Sequence, residues 1–319
     1  MSELLFDPEQ PRDPAGRGFR LGDREITPVY DYEPRIVLAV NVALATGRPL
    51  LVRGAPGTGK SSLAADIARR QSWRYYPATI SSRTQAQDLL WRFDTVRRLA
   101  DAQVKRLQQP AAYLQPGVLW WAFDRYLAAR RGLAEGEPQS RKIPLAADPA
   151  ADIDHPRAVV LLDEMEKADP DVPNNLLDPL GSFRFRVEET VVPALEVRAS
   201  LPPLVIITSN EERELPRAFL RRCIALNLER PEGERLLRIA RLHFPADQEA
   251  LIQKVATLFE GLCEQQRQAR QPLPSTAEFL DAIAACRELG VPDPGAGHER
   301  WEQIASVALR KPPPRDLEP

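Results

Sequence analysis

The chain has 319 residues, of which 43% are hydrophobic and 28% are charged, and its formal net charge at pH 7 is −2. This near-neutral charge predicts no general attraction to nucleic acid or to an anionic membrane surface, and no apolar run approaches the roughly 20 residues that span a bilayer. The three cysteines are widely spaced and form no C-x-x-C pair, which argues against a disulfide framework or a zinc site and favours a cytoplasmic protein.

The N-terminal part of the chain is rich in Pro, Gly, Arg and Asp and shows no periodic pattern. We expect residues 1–24 to form an extended arm, and the early acids and prolines do not fit a signal peptide. A helix is predicted over residues 35–46, because Gly47 follows as a terminator and Pro49 comes shortly after it.

A glycine-rich segment follows between a predicted buried strand over residues 50–52 and a predicted helix over residues 62–70. Gly54, Gly59, Lys60 and Ser61 in this segment match G-x-x-x-x-G-K-[ST], the phosphate-binding loop. Glycines adopt backbone angles that are closed to other residues, so successive N–H groups can turn towards an anion. The N-terminus of the following helix adds a partial positive charge. The sequence therefore predicts that the chain binds a nucleoside triphosphate.

The roles of the individual loop residues follow from the same motif. We expect Lys60 to reach the β- and γ-phosphates and the Ser61 hydroxyl to join the coordination shell of Mg²⁺. The predicted nucleotide contacts are Gly54, Ala55, Pro56, Gly57, Thr58, Gly59, Lys60, Ser61 and Ser62. Tyr30 or Tyr32, which precede the loop, are candidates to pack near the adenine, with plain core packing as the alternative.

The region after the loop is predicted to contain a second strand over residues 73–80 and one long helix over residues 85–107. An aromatic helix through Trp120, Trp121, Phe123 and Tyr126 is expected to pack in the core or at a subunit interface. Residues 132–157 are predicted to form a long polar loop.

Two acids end the next apolar run, which is predicted to be a buried parallel strand over residues 158–162. Ligands of open α/β sheets bind at the carboxyl ends of the strands, where Asp163 and Glu164 would lie. We expect Asp163 to hold Mg²⁺ through water and Glu164 to polarise the attacking water.

Further polar residues follow in the second half of the same predicted domain. A helix over residues 169–180 and a hairpin over residues 182–192 lead to a buried strand over residues 204–210, whose Asn210 is predicted to orient water. A turn role for Asn210 is the alternative. Arg221 and Arg222 then close a short helix before a strand over residues 224–228. Arg222, with Arg221 as the substitute, is predicted to act in trans on a neighbouring subunit's phosphate. The alternative is that both pair with Glu211, Glu212 or Glu214 on the surface.

The C-terminal part is predicted to be helical, with helices over residues 232–242, 247–267, 275–289 and 298–309. The expected organisation is an arm over residues 1–24, an α/β nucleotide-binding domain over residues 25–230, a helical lid over residues 231–310 and a Pro-rich tail over residues 311–319.

These motifs together resemble an AAA+ ATPase. Residues 54–61, 161–164, 206–210 and 219–223 occur in the order Walker A, Walker B, sensor 1 and arginine finger. Residues 163–170 and 215–222, with the hairpin between them, are most similar to the MoxR branch, which adjoins the McrB and dynein-related ATPases. The resemblance spans residues 28 to about 290.

The resemblance implies a parallel sheet flanked by helices (an α/β P-loop fold) with a C-terminal all-helical lid, and a ring, such as a hexamer, with ATP and Mg²⁺ between subunits. It also implies a chaperone-like motor that remodels a protein partner such as a von Willebrand A domain protein. From the near-neutral charge and the lack of a long apolar run, we expect no membrane and no direct nucleic-acid binding. Alternatives are a McrB-like motor in a nucleic-acid-directed defence system and a nucleotide-gated assembly module. One departure concerns Ala277, which occupies the place where the family usually carries the sensor 2 arginine.

Overall fold

The computed structural model describes residues 5–11, 19–21, 24–26, 29–133, 143–188, 195–295 and 298–310. The predicted tail over residues 311–319 lies outside them, as do much of the predicted arm, residues 134–142 of the predicted polar loop and residues 189–192 of the predicted hairpin. The chain forms two compact units. The first unit comprises residues 1–28, 32–53 and 63–227, and the second unit comprises residues 29–31, 54–62 and 228–319.

The strands and helices are named in chain order. The strands are Phe19–Leu21 (β1), Arg24–Ile26 (β2), Leu50–Arg53 (β3), Arg74–Thr79 (β4), Trp91–Phe93 (β5), Leu114–Pro116 (β6), Ala158–Asp163 (β7), Arg184–Val187 (β8), Leu195–Arg198 (β9), Leu204–Ser209 (β10) and Ile224–Asn227 (β11). The α-helices are Pro34–Thr46 (α1), Lys60–Gln71 (α2), Ala86–Leu90 (α3), Thr95–Gln103 (α4), Val118–Phe123 (α5), Arg125–Ala129 (α6), Asp171–Asn175 (α7), Leu177–Ser182 (α8), Arg217–Leu220 (α9), Gly233–His243 (α10), Glu249–Gln268 (α11), Thr276–Glu288 (α12) and Glu299–Ala308 (α13).

The first unit is built on a five-stranded parallel sheet with the strand order β11-β3-β10-β7-β4. Its central strands are apolar and almost entirely buried, as in parallel sheets whose faces are covered by helices. Ile206 on β10 lies level with Leu50 on β3 and with Leu161 on β7. This register brings the carboxyl ends of the three strands to one edge of the sheet. The predicted fold class, a parallel sheet flanked by helices with C-terminal helices, is confirmed.

The single long helix predicted over residues 85–107 is wrong. The chain there forms α3, then β5 and then α4. β5 pairs with β6 in antiparallel fashion, and the Asp94 carboxylate caps α4 by accepting a hydrogen bond of 2.9 Å from the N–H of Arg97. Local periodicity misses this break because the partner strand β6 lies beyond α4 in the chain.

Three other predicted elements differ in their boundaries. Asp124 divides the aromatic helix into α5 and α6, since its carboxylate caps α6 at the N–H of Leu127 with a 2.8 Å bond. The helix predicted over residues 169–180 is two short helices, α7 and α8. The predicted hairpin exists as the antiparallel pair β8 and β9, but its second strand begins at Leu195, beyond the predicted limit at residue 192.

An aromatic cluster explains why the hairpin lies where it does. The Phe185 ring on β8 is 5.8 Å from Trp91, 6.1 Å from Trp120 and 5.8 Å from Phe123, measured between ring centroids. Such ring pairs stabilise a core beyond the area that they bury. The aromatic helix therefore serves the core of the first unit, although Tyr126 at its end is exposed.

The described part of the polar loop over residues 132–157 contains no helix or strand. The buried guanidinium of Arg74 on β4 donates hydrogen bonds to the carbonyls of Trp121, His155 and Pro156. The hydroxyl of Tyr76, also on β4, donates to Asp148 at 3.1 Å. Buried polar groups on the sheet therefore anchor both ends of residues 148–156.

The second unit contains α10–α13 around a core of its own. The Phe259 and Phe279 rings lie 5.0 Å apart at its centre. Asp31 forms ion pairs with Arg238 at 3.1 Å and with Arg235 at 3.7 Å on α10. Neither α11, which has 20 residues, nor any other described helix is long and apolar enough to cross a membrane.

All three cysteines are reduced and buried. Burial raises the pKa of the Cys223 and Cys286 thiols to about 11, and it also raises the pKa of Cys263. The thiols therefore stay protonated at neutral pH, as small apolar groups do in a core.

We expect Gly117→Ala to destabilise the first unit. A Cβ atom at Gly117 would lie 2.4 Å from the carbonyl oxygen of Leu89 and 2.7 Å from that of Asp88. These are backbone atoms of α3, so the cost is the cost of overpacking, about 1–3 kcal/mol. Thermal and urea unfolding would measure it.

Gly181→Ala is the matched control. Gly181 lies in α8, and no atom lies within 4 Å of the position of its added Cβ. Alanine in a helix is about 0.5–1 kcal/mol more favourable than glycine, so this variant should be as stable as the parent or more so. Equal stability of the two variants would contradict the close packing at Gly117.

Candidate active site

The glycine-rich loop connects β3 to α2 and adopts the backbone angles that its glycines permit. Gly54, Gly57 and Gly59 have φ angles of 147°, 75° and 89°, values that side chains with a Cβ atom rarely adopt. The Thr58 hydroxyl donates to the carbonyl of Ala55 at 2.9 Å. The loop is thus folded on itself in the way that the phosphate-binding motif requires.

Lys60 is the first residue of α2 and is only 6% exposed. Its ammonium donates hydrogen bonds to the carbonyls of Gly54 at 2.8 Å and Ala55 at 2.9 Å, so it lies folded over the loop. The helix begins two residues before the predicted start at Ser62. Lys60, Ser61 and Ser62 therefore all belong to the first turn, where the positive end of the helix dipole lies and no acid opposes it.

Two other segments of the second unit contact this loop. A Cβ atom at Gly57 would lie 2.4 Å from the Cβ of Ser275, the N-cap residue of α12. A Cβ atom at Gly59 would lie 3.2 Å from the Tyr30 ring. The loop glycines are therefore required for close packing as well as for their backbone angles. Ala55 and Pro56 complete the loop between them.

The two tyrosines before the loop have different roles. The Tyr32 hydroxyl donates to Asp66 at 2.8 Å, and its ring lies 5.3 Å from Phe6. Tyr32 therefore packs within the first unit. Tyr30 is 8% exposed and lies against Gly59, so of the two it is Tyr30 that contacts the predicted nucleotide loop.

Helix α12 carries no arginine in its first turn. Ala277 there is exposed. Arg287, the arginine of this helix, lies in its last turn, where it pairs with Glu288 at 2.7 Å and stacks on Phe244. The turn before α12 is instead held by Arg230, which donates to the carbonyl of Pro274.

In the first unit, Asp163 and Glu164 lie at the carboxyl end of β7, where the sequence places them. Thr208 on the neighbouring strand β10 joins them: its hydroxyl donates to the Asp163 carboxylate at 2.5 Å and accepts the Glu164 N–H at 2.9 Å. Glu164 has the left-handed angles φ 62° and ψ 45°, which are uncommon for residues other than glycine. The Thr208 bond stabilises that conformation.

Sequence reasoning misses Thr208. The only available signal is a polar residue near the end of an otherwise apolar buried strand, since Thr208 is fully buried and follows Ile207. Its partner is found only through the register of β10 on β7, in which Ile207 lies level with Leu162. The next position along β10 is therefore beside Asp163.

Lys167 is the second residue that the sequence does not single out. Its ammonium pairs with the Glu164 carboxylate at 2.6 Å. This hydrogen bond raises the pKa of Lys167, so the lysine stays charged. The pair fixes one oxygen of Glu164 and leaves the other as an acceptor.

Asn210 directly follows β10 and is half-buried. Its side chain makes no hydrogen bond to any described residue. The water-orienting role of Asn210 stays a prediction.

Arg221 and Arg222 follow α9 in a turn, and both side chains are exposed. The alternative in which they pair with Glu211, Glu212 or Glu214 is not found in the structure, although all of these residues are described. Glu211 instead lies 3.8 Å from Arg53. The side chains of Arg221 and Arg222 form no ion pair with any described residue.

The available oxygen ligands fit Mg²⁺ bound together with phosphate. Among the described residues, no group of three or more His, Cys, Asp or Glu side chains is placed to hold a metal by itself. Mg²⁺ is usually held by one or two carboxylates together with substrate phosphates and water. Asp163 and the Ser61 hydroxyl match that donor chemistry.

Comparisons with known proteins give one family. The model of the AAA domain, dynein-related subfamily, matches residues 49–223, which is more than half of the chain. No curated protein gives a significant match.

Two solved structures are similar at a low level. A RuvB mutant from Thermotoga maritima has 14% identity and a TM-score of 0.47, with 86% of this chain and 68% of that chain covered. The RuvB Holliday junction branch migration motor from the same organism has 13% identity and a TM-score of 0.45, with 86% and 67% covered.

We expect Thr208→Val to fold but to lower Mg²⁺-dependent nucleoside triphosphate hydrolysis. Valine keeps the shape of threonine, but Asp163 and the N–H of Glu164 lose their shared partner, and an unpaired buried group costs roughly 1–3 kcal/mol. Thermal unfolding and a titration of hydrolysis against Mg²⁺ would measure both effects. Thr208→Ser, which keeps the hydroxyl, should retain most activity; equal rates for the two variants would show that the hydroxyl is not needed.

Proposed function

This chain belongs to the dynein-related subfamily of AAA domains, and from that premise we propose that it is a MoxR-type AAA+ ATPase. It hydrolyses ATP at the subunit interfaces of a hexameric ring and remodels a protein partner, such as an adaptor with a von Willebrand A domain. The observation that carries the proposal is the pair of acids at the end of β7, Asp163 and Glu164, which Thr208 holds in place.

The phosphate-binding loop supports ATP as the substrate. Lys60 rotates from the carbonyls of Gly54 and Ala55 to the β- and γ-phosphates, because a phosphate oxygen is a stronger acceptor for an ammonium than a carbonyl. Ser61 and Asp163 would hold Mg²⁺, which would supply electrostatic stabilisation of the phosphate oxygens.

Glu164 acts as the general base in the proposed reaction. One of its oxygens is occupied by Lys167, and the other accepts a proton from the attacking water. Asn210, at the end of the adjacent strand, orients that water. In this arrangement Lys167 is a positioning residue, since it fixes the carboxylate without touching the substrate.

The arginine finger is proposed to come from a neighbouring subunit. Arg222 stabilises the charge on the transferred phosphoryl group, and Arg221 is the alternative donor. The exposure of both side chains and their lack of ion pairs with described residues support this role.

The missing sensor 2 arginine favours a second candidate function. In the proposed ATPase, residues 25–230 bind the nucleotide and α10–α13 form the lid. Because Ala277 stands in the first turn of α12, the lid supplies no arginine from that turn. A nucleotide-gated assembly module with weak hydrolysis would tolerate this loss, and a measured turnover distinguishes the two functions.

We expect Glu164→Gln to bind ATP with parental affinity and to lose turnover by about 10²–10⁴-fold, because an amide does not accept the proton of water. Lys60→Ala should instead lose ATP binding. Phosphate release and titration with a fluorescent ATP analogue measure the two properties. Parental turnover by Glu164→Gln would exclude Glu164 as the base.

Turnover is expected to depend on the assembly of subunits. Turnover per subunit should rise with protein concentration, and Arg222→Ala should fold and bind ATP but lose turnover by about 10³–10⁵-fold. An exposed arginine that only forms a surface ion pair would instead contribute about 0–1 kcal/mol to the free energy of unfolding.

Mixing variants tests the trans contact directly. Subunits with Arg222→Ala mixed with Lys60→Ala subunits should regain activity, since some interfaces then combine an intact loop with an intact arginine. Turnover that does not depend on concentration, or a fully active Arg222→Ala variant, would rule out the finger.

A further inference from the structure

The turn that carries Arg221 and Arg222 is held by a third arginine. The Arg48 guanidinium donates hydrogen bonds to three successive backbone carbonyls: Nε to Arg222 at 3.1 Å, and Nη2 to Arg221 at 2.5 Å and to Cys223 at 3.0 Å. Arg48 lies 174 residues before Arg222 in the chain. A planar guanidinium with five N–H donors can bind several carbonyls at once, which an ammonium cannot do in the same geometry.

These carbonyls lie in the turn that follows α9, a helix of four residues, at its C-cap residue Arg221 and at the next two residues. The carbonyls at the end of the helix itself already accept backbone N–H groups, Phe219 from Arg222 and Leu220 from Cys223. A cation also interacts favourably with the negative end of the helix dipole. Arg48 therefore supplies hydrogen-bond donors to the turn after α9 from a distant part of the chain.

Packing on one side of the turn is incomplete. An open cavity of about 260 Å³ is bordered by Arg48, Arg221, Arg222 and Cys223. Its other walls are mainly apolar and come from Gly47, Pro49, Leu177, Leu180, Phe183 and Phe219, among others. The cavity leaves a gap beside the turn, so the hydrogen bonds of Arg48 matter for the conformation of its backbone.

Arg48 itself stands in a well-defined stretch of backbone. Gly47 ends α1 in the left-handed region with φ 66°, and Pro49 follows with its restricted φ angle. The carbonyl of Pro49 accepts the N–H of Ile224 at 2.8 Å, and β11 then continues alongside β3. The segment that bears the guanidinium is thus fixed to the first strand after the turn.

We propose that Arg48 is a positioning residue for the trans-acting arginine: it holds the backbone of residues 221–223 so that the Arg222 side chain projects towards the nucleotide of the neighbouring subunit. This rests on the proposed function, in which Arg222 acts in trans. The side-chain hydrogen bonds of Arg48 go to the carbonyls of residues 221–223, so its proposed role is to position the turn.

The expected effect of Arg48→Ala is on turnover and not on ATP binding. Misplacement of a catalytic group by about 1 Å costs about 10²-fold in rate, so we expect turnover to fall about 10²-fold while the affinity for a fluorescent ATP analogue stays at the parental value. Arg48→Lys keeps the charge but not the fork of donors and should recover only part of the rate. Arg35→Ala is the matched control, since Arg35 is an exposed arginine on α1 whose ion partner is Glu33, and its rate should equal that of the parent.

Subunit mixing separates positioning from general damage. An Arg48→Ala subunit has an intact phosphate loop but a misplaced finger. Mixed with Lys60→Ala subunits, which supply an intact finger, it should regain activity; mixed with Arg222→Ala subunits, it should not. Damage to the nucleotide site of the Arg48→Ala subunit with an intact finger would reverse this pattern, with no recovery in the mixture with Lys60→Ala and recovery in the mixture with Arg222→Ala. Either result overturns the proposal.

The mixture of Arg222→Ala with Lys60→Ala distinguishes failure of the proposed function from failure of this inference. No recovery in that mixture overturns the trans finger and, with it, the role of Arg48. Recovery there, together with parental turnover by Arg48→Ala alone, overturns only the role of Arg48. If Arg48→Ala does not fold, as judged by thermal unfolding, the same mixtures are made with Arg48→Lys.

Discussion

The pairing of β10 with β3 on one side and with β7 on the other is the constraint on which the candidate site of the first unit depends. It aligns the carboxyl ends of three buried strands at one edge of the sheet. It also places the Thr208 hydroxyl beside Asp163 and the N–H of Glu164. A shift of β10 by one residue would turn Thr208 to the other face, because side chains alternate along a strand. The geometry of the acids is therefore decided by the register of the sheet.

Backbone carbonyls held by arginines recur through the molecule. Arg74 binds the carbonyls of Trp121, His155 and Pro156, Arg48 binds those of the turn after α9, and Arg230 binds that of Pro274 before α12. In each case a guanidinium completes the hydrogen bonds of an irregular segment. These three arginines thus have a structural role in the backbone of the molecule.

The sequence alone predicts the structure correctly where the physical signal lies within a short segment of the chain. Continuous apolar runs such as Val159–Leu162 predict buried parallel strands, and the spacing of Gly54, Gly59 and Lys60 predicts the loop that connects strand to helix. Prediction fails where the partner is distant. The sequence does not predict β5, because Trp91 pairs with Pro116, which lies beyond α4 in the chain. Neither Thr208 nor Arg48 has a neighbour in the sequence that indicates its contact. Glu164 was recognised as an acid, but its left-handed backbone and its pairing with Lys167 come only from the fold.

The burial of every cysteine has a practical consequence. Cys223, Cys263 and Cys286 are the only thiols of the chain, and all lie inside with raised pKa values. Because the thiolate is the form that reacts with maleimides and disulfides, these side chains react slowly in the folded protein. A cysteine introduced on the surface would then carry a fluorescent label almost alone, without removal of the native residues. The native chain is thereby suited to distance measurements by energy transfer between introduced labels.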